Sequence, residues 1–206
     1  MVTLEEMKQF FFLFAENELI GQYGADQGKI LSESFKNRFI KLYSQNEEMM
    51  PDALAKEHGV SPIFVIALRQ TLKDQQIGQP EFRRMVISIY ETLLSGMTSQ
   101  LKAQLESSPS PFESFVEWSI PGGKRLYDNE YFQQEILQAD EKGYHLDIHR
   151  CLYFEIFQKN NATALAPVLC DYDLIWARAI EKWARFERKE TIVNGDSRCT
   201  FRYYPR

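Results

Sequence analysis

Apolar residues recur at steps of three and four through the first half of the chain, and at steps of two near its end. Residues 3–21 and 27–44 both carry the helical repeat, separated by the glycine-bearing GQYGADQG. The segment from Gln79 to Leu105 shows it most fully. Phe82, Met85, Val86, Ile89, Tyr90, Leu93, Met97 and Leu101 place a long apolar stripe on one side. Pro80 suits the first turn of that helix, where its missing N–H has no intrahelical partner to lose. Between these, Met50 to His58 and Pro62 to Lys73 predict two short helices on either side of HGVS. The stretch ESSPSPFES, residues 106–114, ends the long helix, and VEWSIPGGKRLYDNE reads as a loop broken at its Pro-Gly-Gly.

The second half changes period. Tyr131 to Ala139 and Gly143 to Arg150 are predicted strands joined by DEKG, and in the second Tyr144, Leu146 and Ile148 alternate with His145, Asp147 and His149. A helix follows over Cys151 to Phe157, and another over Asp171 to Lys182. Arg185 to Val193 and Arg198 to Tyr204 read as a final pair of strands. The turn NGDS makes them a hairpin, and Cys199, Phe201 and Tyr203 point away from Arg198, Thr200 and Arg202. The two periods together predict an α+β protein. Residues 1–105 form an N-terminal helical region, 106–130 a connecting loop and short helix, and 131–206 a C-terminal antiparallel sheet with helices packed on one face.

Composition narrows what such a fold can do. With 44% hydrophobic residues, 15 Phe and 10 Tyr, a sizeable core is expected and disorder is excluded. A net charge of −5 opposes nucleic-acid binding, which asks for clustered Lys and Arg. ALAKEHGVSPIFVIALRQTL, residues 53–72, has the rhythm of a helix-turn-helix, so a DNA-binding regulator using it is one alternative. Its second helix is mostly apolar, with Arg69 and Lys73 as its cations, and a helical hairpin in a bundle suits it better. FFFLF, residues 10–14, is too short for a signal peptide or a membrane span and reads as the buried side of the first helix. Three cysteines do not make a disulfide framework, so reduced thiols in a cytoplasmic protein are expected.

The candidate chemistry lies in the second half. His145, Asp147 and His149 share a strand face and either ligate a divalent metal or form a polar surface. Cys151, Cys170 and Cys199 each stand at a junction between elements. Cys170 precedes a helix that Asp171 or Asp173 can cap, a place where the helix dipole favours a thiolate. For each cysteine alone, simple packing is the competing explanation.

Arg150-Cys151, the Cys170–Asp173 segment CDYD with Trp176 behind it, and TIVNGDSRCTFRY at 191–203 resemble the L-2-amino-thiazoline-4-carboxylic acid hydrolase family. The family's terminal Gly-Asp-x-x-Cys-x-Phe falls here on Gly195, Asp196, Cys199 and Phe201, and the resemblance covers about residues 130–204. It implies hydrolytic opening of a cyclic C–N bond in a small carboxylate substrate, a five-membered isothiourea. Cys170 would attack, assisted by Asp173 as general acid or base and by Cys199 and Cys151. Arg150, Arg198 or Arg202 would clamp the substrate carboxylate. No cofactor is expected on this reading. The rival mechanism places zinc or another divalent metal on Cys151, Cys170, Cys199, Asp173 and His149. A non-catalytic small-molecule-binding domain is the remaining alternative, and homo-oligomers are compatible with all of these readings.

Overall fold

Thr3 starts the first helix with a capping box: its hydroxyl accepts from the Glu6 N–H at 3.2 Å, and the Glu6 carboxylate accepts from the Thr3 N–H at 2.7 Å. The computed structural model describes residues 3–206, so the first two residues of the expected helical region lie outside those described. Helices α1 (Leu4–Tyr23), α2 (Ala25–Gln45), α3 (Ala53–Thr71) and α4 (Gln79–Ser107) account for the first half. Two compact units result, neither continuous in sequence. One takes the chain up to Leu94 with Tyr153–Tyr172, the other Ser95–Leu152 with Asp173–Arg206.

The first unit is built around aromatic rings. Phe64 of α3 meets Phe11 at 4.7 Å between centroids, Phe35 at 5.7 Å and Tyr90 at 5.8 Å, so side chains from α1, α2 and α4 converge on it. The run FFFLF does not bury as a block: Phe11 and Phe12 are inside, but Phe10 and Leu13 are exposed. Five consecutive residues span more than a full helical turn and cannot share one face. The expected pair of short helices around HGVS is one helix, α3, running through Pro62. Packing overrides the local breakers there. His58, Gly59, Val60 and the residues from Pro62 to Leu68 are buried, and a Cβ on Gly59 would lie 1.8 Å from the Met50 sulfur. The helix-turn-helix alternative therefore lacks its turn.

In the second unit, helix α5 (Pro111–Tyr127) passes through the Pro-Gly-Gly expected as a loop. Its Phe112, Phe115 and Val116 are buried, an apolar anchor that outweighs the local breaker at Pro121. Strands β1 (Gln134–Asp140) and β2 (Gly143–Ile148) are the expected first pair. Helix α6 (Leu152–Lys159) follows, then the short α7 (Ala166–Cys170) and α8 (Tyr172–Ala179). Strands β3 (Ala184–Glu187) and β4 (Cys199–Pro205) end the chain. The expected strand over Arg185 to Val193 stops at Glu187, and residues 192–194 form a 3-10 turn. The four strands make an antiparallel sheet in the order β1-β2-β4-β3, so the fold is α+β as the two periods indicated. No helix among the described residues is long and apolar enough to cross a membrane.

Candidate functional site

Pairing of β2 with β4 sorts the candidate residues onto two faces of the sheet. Tyr144, Leu146 and Ile148 stand opposite Tyr203, Phe201 and Cys199, while His145 and Asp147 stand opposite Arg202 and Thr200. Directly opposed residues of an antiparallel pair share a face. Helix α5 covers the first face, with Phe115 at 5.1 Å from Tyr203 and 6.1 Å from Tyr144. Phe186 of β3 stacks on Tyr203 at 4.8 Å, and Arg188, two residues on, lies 5.8 Å over the Phe201 ring.

Arg188 carries the polar chemistry of this face. It donates to Asp173, in the first turn of α8, and both side chains are largely sheltered, at 13% and 29% exposure. Arginine offers only donors, so Asp173 accepts in this pair and is presented as a carboxylate. Cys199 belongs to the same group. Burial pushes its thiol above the ordinary value; the Ile192 N–H and Arg188 oppose that rise, and Asp173 and Asp196 add to it. Burial likewise raises the Tyr203 hydroxyl, with Asp173 reinforcing the shift. Cys199 is thus a neutral thiol near pH 7.

The terminal motif works as a clasp. Gly195 takes a left-handed conformation at φ 94°, which a side chain would strain, and its N–H donates to the Ile192 carbonyl at 3.0 Å. Asp196 turns back to accept from the Thr191 N–H at 2.7 Å, and the Cys199 sulfur accepts from the Ile192 N–H at 3.3 Å. Glu190 and Thr200 close the base, Thr200 N–H to the Glu190 carbonyl at 3.0 Å and Glu190 N–H to the Thr200 hydroxyl at 3.1 Å. Glycine, aspartate and cysteine at this spacing satisfy the backbone of one turn and lead from Arg188 to Cys199.

Arg198 and Arg202 lie elsewhere. Both pair with Asp147, which is 1% exposed: Arg202 at 2.6 Å and Arg198 at 3.2 Å. Arg202 also donates to the carbonyls of Leu146 at 2.8 Å and Phe201 at 3.0 Å. Arg202 shares its face with Asp147, opposite the face that holds Cys199. Arg150 donates to the Glu130 carbonyl at 2.8 Å, and Cys151 is half-buried where β2 hands over to α6. Cys170 is half-buried at the end of α7 and belongs to the first unit, whereas Cys151, Asp173 and Cys199 belong to the second. The expected helix cap by Asp171 does not form, because Arg83 of α4 takes that carboxylate through two nitrogens.

The metal alternatives fare differently from the thiols. His149 pairs with Glu135 at 3.0 Å and Asp147 is taken by its arginines. Among the described residues no three His, Cys, Asp or Glu side chains are grouped to hold a metal ion. A cleft of about 220 Å³ lined by Phe112, Trp183 and Arg206, and one of about 330 Å³ lined by Glu18, Glu81 and Arg84, contain none of the expected site residues.

The sequence profile of the L-2-amino-thiazoline-4-carboxylic acid hydrolase family matches residues 55–203. The chain belongs to that family. The match begins inside α3 and takes in α4 as well as the three motifs, extending well beyond the region over which the motifs alone resemble family members, while α1 and α2 lie outside it. In this thiazoline-carboxylate hydrolase relative, then, Arg188 is the residue that motif reading passed over. Phe186 and the period of two would have placed it on the face of Cys199. No curated protein matches the chain. Among solved structures, the Fe(II) unliganded H-NOX protein from K. algicida matches at 8% identity and TM-score 0.42, covering 95% of each chain. A single-substitution mutant of it matches at the same identity and TM-score, over 96% of this chain and 95% of that one. Likeness at that level carries no argument about this chain.

Proposed function

We propose that this family member hydrolyses a ring C–N bond in a small cyclic isothiourea that carries a carboxylate, with L-2-amino-thiazoline-4-carboxylate as the first substrate to test. One observation carries the reading. Residues far apart in sequence, Asp173 and the Arg188–Cys199 hairpin, meet on one sheet face as a sheltered carboxylate–guanidinium pair beside a neutral thiol.

In this scheme Asp173 is the base. It takes a proton from water as the water oxygen bonds to the ring carbon between nitrogen and sulfur. That proton passes to the ring nitrogen, and as the C–N bond breaks the hydroxyl on the carbon becomes a carbonyl and its proton goes to the departing nitrogen, leaving a thiocarbamate and a new amine. Arg188 holds Asp173 in place. Cys199, with its raised thiol, is a positioning residue that fixes the turn after Arg188. Cys170 and Cys151 enter the proposal as the thiols of the other two motifs. Attack by Cys170 instead of water predicts that Cys170→Ser abolishes turnover.

The products separate the outcomes. C–N opening releases an amine and no thiol, whereas C–S opening releases a thiol and no new amine. Incubating the purified chain with the thiazoline carboxylate and assaying both groups tests the reading. Amine release that is lost in Asp173→Asn supports it, and thiol release overturns the bond assignment. Substrate binding without either product makes the chain a ligand-binding domain.

A further inference from the structure

One pair of side chains on this face has no part in the scheme above. Trp176 lies one helical turn beyond Asp173 on α8, so the two project from the same side of that helix. Trp118 of α5 rests against it, ring centroids 5.4 Å apart and planes inclined at 44°. Trp118 is 36% exposed, and Trp176 is only partly covered. The two indoles are held together with open surface, beside a carboxylate. Phe115, Tyr144 and Tyr203 are packed into the core.

An exposed indole face has a specific affinity: its π-electrons attract planar, weakly hydrated cations. A cyclic isothiourea is such a group, because protonation spreads its positive charge over nitrogen, carbon and sulfur in one plane. We propose that Trp176, backed by Trp118, is the wall on which the protonated ring of the substrate stacks, next to Asp173. The inference rests on the reading of Asp173 as the reacting base and adds the residues that choose the substrate's head group. Asp173 already faces one cation in Arg188, so selection for a second falls to the ring faces. Arg188 meanwhile keeps its own aromatic neighbour, Phe201.

The test uses two small probes on the full chain: 2-amino-2-thiazoline, a planar cation without a carboxylate, and 2-thiazolidinone, its neutral counterpart. Isothermal titration is expected to show the cation binding the wild type, with the neutral ring roughly 10-fold weaker or worse. Trp176→Leu should weaken the cation by roughly 3- to 30-fold, the span of a cation–π contact, while Trp176→Phe retains most of the binding. Trp118→Leu, at a more exposed site, should weaken it too and serves if Trp176→Leu does not fold. With the thiazoline carboxylate as substrate, Trp176→Leu should raise KM and leave kcat within a few-fold. Equal affinity for the two probes, no binding of the cation to the wild type, or an unchanged Kd in folded Trp176→Leu each overturns the wall. The two readings fail separately. Cation binding that depends on Trp176 without turnover removes the hydrolase reading and keeps the wall. Turnover with an unaltered KM in Trp176→Leu does the reverse.

Discussion

Asp147 offers the sharpest contrast between holding the fold and doing chemistry. Its carboxylate is 1% exposed and is met by Arg202 at 2.6 Å and Arg198 at 3.2 Å. Asp147→Asn keeps the shape and removes the charge, leaving an amide N–H₂ against guanidinium donors. Breaking a fully buried pair costs about 3–5 kcal/mol. Arg202 is 20% exposed and Arg198 42%, so part of the interaction is screened by water, and Arg198 adds little. We therefore expect Asp147→Asn to destabilise the second unit by about 2–3 kcal/mol, with Arg202→Met costing a similar amount and Arg198→Met clearly less. Trp118, Trp176 and Trp183 all belong to the second unit, so tryptophan fluorescence in urea follows the loss of structure there. At a slope of about 1–3 kcal/mol per molar, the midpoint should fall by roughly 1 M or more with the slope unchanged. Amine release by the native variant should stay within a few-fold of wild type, because Asp147 lies across the sheet from Cys199. A midpoint shift below about 0.3 M would refute the energetic reasoning. A KM that rises in Arg202→Met without loss of stability would restore Arg202 as a clamp for the substrate carboxylate.

Four further outcomes follow from the structure. Asp173→Asn should lower turnover by roughly 100-fold or more, the usual worth of a positioned base, measured as kcat for amine release. Gly59→Ala should destabilise the first unit by about 1–3 kcal/mol, because the fully buried Met50 side chain must shift to clear a new Cβ; differential scanning calorimetry reads it. Cys199 should be the slowest of the three thiols to alkylate at pH 8, followed by mass spectrometry of iodoacetamide-treated peptides. Its folded thiol titrates above the unfolded one, so its stabilising share is complete below about pH 8.5 and fades as pH rises through the folded value. Wild type should lose more stability between pH 8 and 10.5 than Cys199→Ser does, and an equal loss in both would count against the buried thiol.

The sequence by itself determined the local structure wherever one signal dominated. Periods of three to four and of two are geometric properties of helix and strand, so α1, α2, α4 and the alternation of β2 and β4 were legible as patterns. Gly195 in the expected turn was equally legible, since a positive φ is a demand on a single residue. Tertiary structure decided the rest, because breakers yield to burial and faces are set by neighbours. Gly59 and Pro62 read as a turn until a buried Met50 and an apolar surround made them the middle of a helix. Pro-Gly-Gly at 121–123 gave way to the anchored face of α5 in the same manner. Among charged residues, the chain alone cannot say who pairs with whom. Arg202 went to Asp147, Asp171 went to Arg83, and Arg188, marked by no motif, took Asp173. An ion pair is chosen by distance after folding, and distance along the chain does not record it.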